Sequence, residues 1–173
     1  MTVSSSLFSS NEIRWLTPKD FFEVWRDKYN INLDVCASPG DEIHPRFIAP
    51  AGTTPITGAL NPIAIDGLIT EWSNYLKPGE AAWMNPPYGR EIKYWVNKAR
   101  REWELNKVVT VCLLPSRTDT KYFQNDIIPI MAGRCPGEVK FIKGRLKFKN
   151  AVNGETGPAP FPSVVVVFGF HSS

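Results

Sequence analysis

The sequence predicts a single α/β domain whose sheet is mostly parallel and carries an antiparallel hairpin at one edge. Residues 108–114 form a continuous apolar run rich in β-branched side chains, which is typical of a central strand buried on both faces. Another apolar strand, at residues 81–84, precedes the clearest helix of the chain, at about residues 90–106. The order strand, helix, strand indicates a right-handed crossover between parallel strands.

Size and composition limit the class of protein. The 173 residues fit one domain, and we expect a flexible tail at residues 1–12 before a domain at residues 13–173. A hydrophobic share of 43% allows a sizeable core, and no stretch is long enough to span a membrane. The N-terminus lacks the pattern of a signal peptide, so we expect a cytoplasmic protein. The net charge of +3 is compatible with a nucleic-acid partner without establishing one.

The cysteines and histidines predict neither a disulfide nor a metal site. Cys36, Cys112 and Cys135 are odd in number and widely spaced, which is typical of free thiols in a reducing compartment. The two histidines, His44 and His171, are far in sequence from any partner that would complete a zinc site.

The first helix is expected to begin at Thr17 and Pro18, because threonine is a good N-cap and proline is favoured in the first turn. Aromatic side chains then recur at helical spacing. They are Phe21, Phe22, Trp25 and Tyr29.

A strand at residues 31–37 follows, and a turn at residues 38–41 ends it. Doubly wound folds bind nucleotides after such a strand, usually at glycines. This chain has Asp34, Cys36, Ala37 and Ser38 there, and Asp34 is either a ligand-binding or a buried structural carboxylate. Residues 45–65 are rich in proline, glycine and threonine, and we expect a long loop with short pieces of structure.

The strand at residues 81–84 ends at Asn85-Pro86-Pro87-Tyr88. Prolines have no N–H and fix an extended backbone before them, so Asn85 is held rigidly beyond the strand end. The Asn85 side-chain oxygen and the Pro86 carbonyl are two acceptors that suit a planar amino group such as that of adenine. They would orient it and stabilise positive charge that develops on its nitrogen. Tyr88 offers an aromatic face for stacking on a base.

Basic residues near the C-terminal half are candidates for nucleic-acid contacts. Arg117 follows the strand at residues 108–114 and either contacts a phosphate or lies on the surface beside a helix cap. Residues 139–149 are expected to form a strand on which Arg145, Lys147 and Lys149 share one face. That face either tracks phosphates or protects a sheet edge. We expect this strand and residues 162–170 to form the antiparallel edge hairpin.

Six motifs occur in a fixed order along most of the chain. They are WLTPKDFF at 15–22, LDVCASP at 33–39, DGL at 66–68 with Trp72, NPPY at 85–88, LLPSRTDT at 113–120 and GRLKF at 144–148. In this order they resemble the small phage DNA N-6-adenine-methyltransferases, a Dam-like family. The NPPY tetrapeptide alone is moderately specific, because short motifs also occur by chance.

The resemblance implies a Rossmann-like class I methyltransferase that uses S-adenosylmethionine to methylate the N6 amino group of adenine in double-stranded DNA. It assigns the catalytic role to Asn85, Pro86, Pro87 and Tyr88. It places the methyl donor against Thr17, Pro18, Asp34, Cys36, Ala37, Ser38, Asp66 and Asn85. Asp66 either contacts the donor or belongs to a turn before a short helix. The family also suggests a phage origin and protection against restriction, and we expect a monomer without metal.

Two other functions stay open at the level of sequence. Asn-Pro-Pro-Tyr also serves enzymes that methylate an RNA base or a protein glutamine, since these present a planar nitrogen as well. A catalytically silent nucleic-acid-binding module on the same fold is the second alternative, because the usual glycine motif for the donor is absent. Donor binding and analysis of the methylated product distinguish the three.

Overall fold

The structure is a computed structural model that describes residues 14–171, so the predicted flexible tail at residues 1–12 lies outside the described residues. Its α-helices are α1 Lys19–Tyr29, α2 Ile92–Asn106 and α3 Ile128–Met131. Its strands are β1 Trp15–Leu16, β2 Ile31–Asp34, β3 Ile48–Ala49, β4 Ala64–Ile65, β5 Ala81–Met84, β6 Val109–Pro115, β7 Gly137–Phe141, β8 Lys147–Asn150, β9 Thr156–Pro158 and β10 Ser163–Phe168. A 3-10 helix spans Trp72–Tyr75, and a π-helical turn at Phe123–Ile127 precedes α3.

The central sheet has five strands in the order β2-β5-β6-β10-β7. The pairs β2–β5 and β5–β6 are parallel, whereas β10 is antiparallel to both β6 and β7. The prediction of a mostly parallel sheet is therefore wrong, and the sheet is mixed. The reason is that the last strand inserts between β6 and β7 in the opposite direction, so it adds two antiparallel ladders to the two parallel ones.

The predicted antiparallel pairing at one edge of the sheet is confirmed, although β8 and β9 lie between its two strands in the chain and the pair is not a direct hairpin. Residues 139–149 do not form one strand, because the chain turns at Gly144, where φ is +75°. The first part, β7, is the edge strand of the central sheet and pairs antiparallel with β10. The second part, β8, leaves for a separate three-stranded sheet in the order β1-β8-β9. This small sheet brings the start of the described chain next to its C-terminal part.

The segment at residues 45–65 contains β3 and β4, which pair in parallel. A parallel bridge between Asp34 and Phe47 links them to β2, and the Ala37 N–H donates to the Ile48 carbonyl at 3.2 Å. These bonds hold the loop after β2 against its neighbours.

The core lies on both faces of the central sheet, which explains why β6 is buried at every position, as predicted. On one face α1 packs Phe22, Trp25 and Tyr29, and the ring of Phe22 meets that of Trp83 edge-on at 5.2 Å between centroids. On the other face α2 packs its apolar side. Those α2 residues are Ile92, Trp95, Val96 and Ala99. No helix within residues 14–171 is long and apolar enough to cross a membrane.

Thr17 does not cap α1, contrary to the prediction. The residue at the N-cap position is Pro18, and within the described chain no side chain caps this helix. The Phe22 N–H instead donates to the Pro18 carbonyl at 3.1 Å. The hydroxyl of Thr17 is thereby left for a partner outside the helix.

Candidate active site

Six of the predicted site residues line a small cleft at the carboxyl ends of β2 and β5. Its volume is about 40 Å³. The residues that line it are Arg14, Trp15, Leu16, Thr17, Asp34, Cys36, Asp41, Ile43, Trp83, Asn85, Pro86 and Pro87. The cleft therefore joins four predicted donor-binding residues, Thr17, Asp34, Cys36 and Asn85, which are up to 68 positions apart in sequence.

The side chain of Asn85 is held in the cleft by two hydrogen bonds. Its side-chain Nδ2 donates to the Trp15 carbonyl at 2.7 Å and to the Thr17 hydroxyl at 2.9 Å. Its Oδ1 is buried and has no hydrogen-bond partner among residues 14–171. A buried acceptor without a partner costs about 1–3 kcal/mol, and such groups in native proteins call for an explanation. Asn85 thus has both donors engaged and one acceptor left for a ligand.

The two prolines after Asn85 make this arrangement rigid. Met84 is the last residue of β5 and is fully buried, and Pro86 is buried as well. Neither Pro86 nor Pro87 has an N–H that could extend the ladder with β2 or β6, so the backbone leaves the sheet at Asn85. The sequence prediction for this turn agrees with the course of the chain.

Tyr88 is buried, with 9% of its surface exposed. Its hydroxyl donates to the Leu113 carbonyl at 3.0 Å, and its ring meets Phe161 edge-on at 5.4 Å between centroids. Burial raises the pKa of the Tyr88 phenol well above its usual value. The Tyr88 ring therefore packs between residues 85–87 and β6. Its stacking on a base stays a prediction.

Asp34 is the buried carboxylate of the cleft, with 4% of its surface exposed. Its Oδ1 accepts the Cys36 N–H at 3.2 Å and its Oδ2 accepts the Ile43 N–H at 3.3 Å. Burial raises the pKa of Asp34 from 3.8 to about 6, and the two N–H groups oppose this rise. The thiol of Cys36 also has a raised pKa because it is buried. Asp34 fixes the loop after β2 and faces the cleft, which fits both predicted roles.

Arg14 was not predicted as a site residue. Its guanidinium donates to the Ser38 hydroxyl and lies 3.5 Å from a carboxylate oxygen of Asp41. It thereby joins the start of β1 to the turn after β2 across the cleft. Its neighbour Trp15 is part of the first motif, but no local pattern indicates a contact with residues 24 and 27 positions away.

The remaining predicted donor-binding residues are not among those that line the cleft. Pro18 begins α1, and Ala37 is buried with its N–H bonded to Ile48. Asp66 has a φ of +64° and accepts the Leu68 N–H at 3.1 Å, so it forms a turn before the short 3-10 helix. Beside it, a Cβ on Gly67 would lie 2.3 Å from the Val35 carbonyl oxygen, so only glycine fits there.

The four predicted DNA-binding residues are all exposed. Lys147 and Lys149 lie on β8 on the face opposite the fully buried Phe148, and Arg145 precedes them outside the strand. Arg117 follows β6 of the central sheet, whereas the other three residues lie on or just before β8 of the small sheet. Their contact with DNA stays a prediction. Among residues 14–171, no group of three His, Cys, Asp or Glu side chains is arranged to hold a metal ion.

The model of the family described as DNA N-6-adenine-methyltransferase (Dam) matches residues 4–170, nearly the whole chain. The chain therefore belongs to this family, as the order of its motifs predicted. None of the curated proteins matches the sequence significantly.

Two solved structures are similar in fold at low identity. One is the precorrin 8w decarboxylase of Methanobacterium thermoautotrophicum, with 10% identity and a TM-score of 0.46, covering 89% of this chain and 91% of that one. The other is a SAM-dependent O-methyltransferase of Thermotoga maritima, with 8% identity and a TM-score of 0.41, covering 90% and 66%. At these scores neither similarity supports an inference about activity.

Proposed function

We propose that the protein transfers a methyl group from S-adenosylmethionine to the N6 amino group of adenine in DNA. The observation that carries this proposal is the Oδ1 of Asn85, which is buried and unpartnered within residues 14–171 while both hydrogens of its amide are engaged. The membership in the family of DNA N-6-adenine-methyltransferases supports the choice of substrate.

Methylation of an aromatic amino group needs hydrogen-bond acceptors for its two hydrogens and does not need a separate catalytic base. Its lone pair is delocalised into the ring, so methylation develops positive charge on the nitrogen and acidifies its hydrogens. Asn85 Oδ1 accepts one of these hydrogens and the Pro86 carbonyl the other, which orients the nitrogen and stabilises the developing charge. The proton leaves to water once the new C–N bond has formed. The two prolines hold both acceptors in place before the substrate arrives.

The charged groups of the cleft fit the donor. S-adenosylmethionine carries a positive sulfonium and an amino-acid end, and when bound it supplies a methyl group whose bond to sulfur breaks as the C–N bond forms. Asp34 offers a carboxylate to a positive group, and Arg14 offers a guanidinium to a carboxylate. We propose that these two residues and Cys36 hold the donor in the position that glycine motifs occupy in other doubly wound folds.

In this proposal the cleft widens to admit such a molecule. The cleft has a volume of about 40 Å³ and is partly open to solvent. The wall formed by residues 38–43 is irregular, and the contacts of Asp41 with Arg14 and of the Ile43 N–H with Asp34 hold it over the cleft. Movement of this wall would break those contacts without disturbing a strand pairing.

The target adenine reaches the site by leaving the duplex, because its amino group is inaccessible inside the base stack. The basic side chains Lys147, Lys149 and Arg145 on and before β8, together with Arg117, dock the DNA backbone in this proposal. In this proposal the flipped base stacks on the ring of Tyr88, which in the structure is buried edge-on against Phe161.

The strand order supports a Rossmann-like class I sheet. With the bridge between Asp34 and Phe47, strands β4, β3 and β2 continue the array into β5, β6, β10 and β7. The candidate site lies at the carboxyl ends of β2 and β5, which is the edge where open α/β sheets bind ligands.

Transfer of a tritiated methyl group from S-adenosylmethionine tests the proposal. We expect label in unmethylated duplex DNA and none in RNA or in a mixture of proteins. Label in RNA or protein alone would contradict the proposed substrate. Absence of label together with absence of donor binding would favour a silent nucleic-acid-binding module.

A further inference from the structure

We infer that Thr17 is a positioning residue, which orients the catalytic amide of Asn85 rather than binding the methyl donor. The inference deepens the proposed function and rests on it. Thr17 Oγ1 lies 2.9 Å from Asn85 Nδ2, and the Trp15 carbonyl lies 2.7 Å from the same nitrogen. The two acceptors take both amide hydrogens and leave Oδ1 as the group that faces the substrate.

The orientation of the amide decides whether Asn85 accepts or donates. An asparagine side chain has an oxygen and an NH₂ group of nearly equal size, and rotation by half a turn exchanges them. In the exchanged orientation Oδ1 would lie against the Trp15 carbonyl oxygen, and two acceptors would face each other. The NH₂ group would then meet the amino group of adenine, and neither nitrogen would find an acceptor.

The hydrogen bonds to the Trp15 carbonyl and to the Thr17 hydroxyl orient the Asn85 amide in different ways. The Trp15 carbonyl can only accept, so it excludes the exchanged orientation at one hydrogen. The Thr17 hydroxyl fixes the second hydrogen and thereby the rotation of the amide about its own axis. An amide held at both hydrogens keeps its oxygen in one direction before the substrate binds, which is the condition for electrostatic catalysis.

The small sheet holds Thr17 in place. Trp15 and Leu16 pair with Asn150 and Lys149 of β8, and the Trp15 ring packs edge-on against Phe148 at 5.9 Å between centroids. Pro18 fixes the backbone immediately after Thr17. The absence of a capping role for Thr17 within the described chain is consistent with this assignment, since its hydroxyl serves Asn85 instead.

The substitution Thr17→Val tests the inference, because valine keeps the shape and removes the hydroxyl. We expect kcat for DNA methylation to fall about tenfold, since one hydrogen bond to a partly buried group is lost. The KM values for donor and DNA should change less than twofold. Thr17→Ser should restore kcat to within about twofold, and Thr156→Val, an exposed threonine of the same small sheet, serves as the control.

A spectroscopic measurement separates orientation from general damage. The Asn85 side-chain NH₂ resonances, assigned by their loss in Asn85→Ala, should shift in Thr17→Val and stay near the wild-type position in Thr17→Ser. Thermal unfolding establishes that the variants are folded.

The outcomes are distinct. A rise in KM for the donor with unchanged kcat in Thr17→Val would overturn the inference and return Thr17 to donor binding. Unchanged kcat and KM would also overturn it, because the hydroxyl would then have no role. If the wild type itself methylates no adenine, the proposed function fails, whereas an active wild type with an equally active Thr17→Val refutes this inference alone.

Discussion

The substitution Asp34→Asn should make the protein more stable at neutral pH and less stable in acid. Burial raises the pKa of Asp34 from 3.8 to about 6 in the folded protein. The folded state therefore binds more protons than the unfolded state between about pH 4 and 6. The wild-type protein therefore keeps its free energy of unfolding below this pH window and loses part of it as the pH rises through the window.

The pKa difference gives the size of the effect. A pKa raised by about two corresponds to about 3 kcal/mol of unfavourable free energy once Asp34 is ionised. Asp34→Asn removes this charge but keeps only one oxygen for the N–H groups of Cys36 and Ile43. The lost hydrogen bond costs about 1 kcal/mol. We therefore expect a net gain of about 2 kcal/mol above pH 7 and a loss of about 1 kcal/mol near pH 4.

Urea unfolding between pH 4 and 8, followed by tryptophan fluorescence, measures this difference. Asp119→Asn, at an exposed carboxylate, serves as the control. A difference between wild type and Asp34→Asn that stays constant over this range would refute the reasoning. Donor binding by the same variant resolves the role of Asp34, because a donor-binding carboxylate loses affinity when neutralised and a purely structural one does not.

Two further substitutions test the packing and the DNA surface. Gly169→Ala should cost about 2–4 kcal/mol in urea unfolding, because its φ is +87° and a Cβ would lie 2.1 Å from the Trp103 ring. Gly154→Ala, with a φ of +73° and no described atom within 4 Å of its Cβ, should cost about 1 kcal/mol. Replacing Lys147 and Lys149 by Gln should reduce the slope of log K for DNA against log salt by about two. An unchanged slope would exclude this face from DNA docking.

Elements with a local pattern were predictable from the sequence. The seven buried positions of β6 and the apolar side of α2 follow from runs of β-branched residues and from helical spacing. The end of β5 just before Asn85 was predictable because two prolines follow that residue. In each case the information lies within a few residues of the element itself.

Pairing between distant segments was not predictable. The alternation around Phe148 gives a strand and its buried face, and it contains no information that the partners of this strand are β1 and β9. The prediction of one strand at residues 139–149 was wrong for this reason, because β7 and β8 belong to different sheets. Likewise, Thr17 has the local pattern of a helix cap, and its contact with Asn85 depends on a tertiary approach across 68 residues.

The burial of Tyr88 illustrates a third limit of prediction from the sequence. An aromatic residue after a turn suits stacking on a base as well as core packing, and the sequence pattern is the same for both. The hydrogen bond from its hydroxyl to Leu113 depends on where the motif meets β6.

Mass spectrometry of nucleosides tests the central claim most directly. Unmethylated duplex DNA is incubated with S-adenosylmethionine and wild type, Asn85→Ala or Asn61→Ala, an exposed asparagine that also precedes a proline. We predict N6-methyladenine with wild type and Asn61→Ala, and none with Asn85→Ala although that variant still binds the donor. N6-methyladenine at wild-type levels from Asn85→Ala, or no modified adenine from a wild type that binds the donor, would contradict the account.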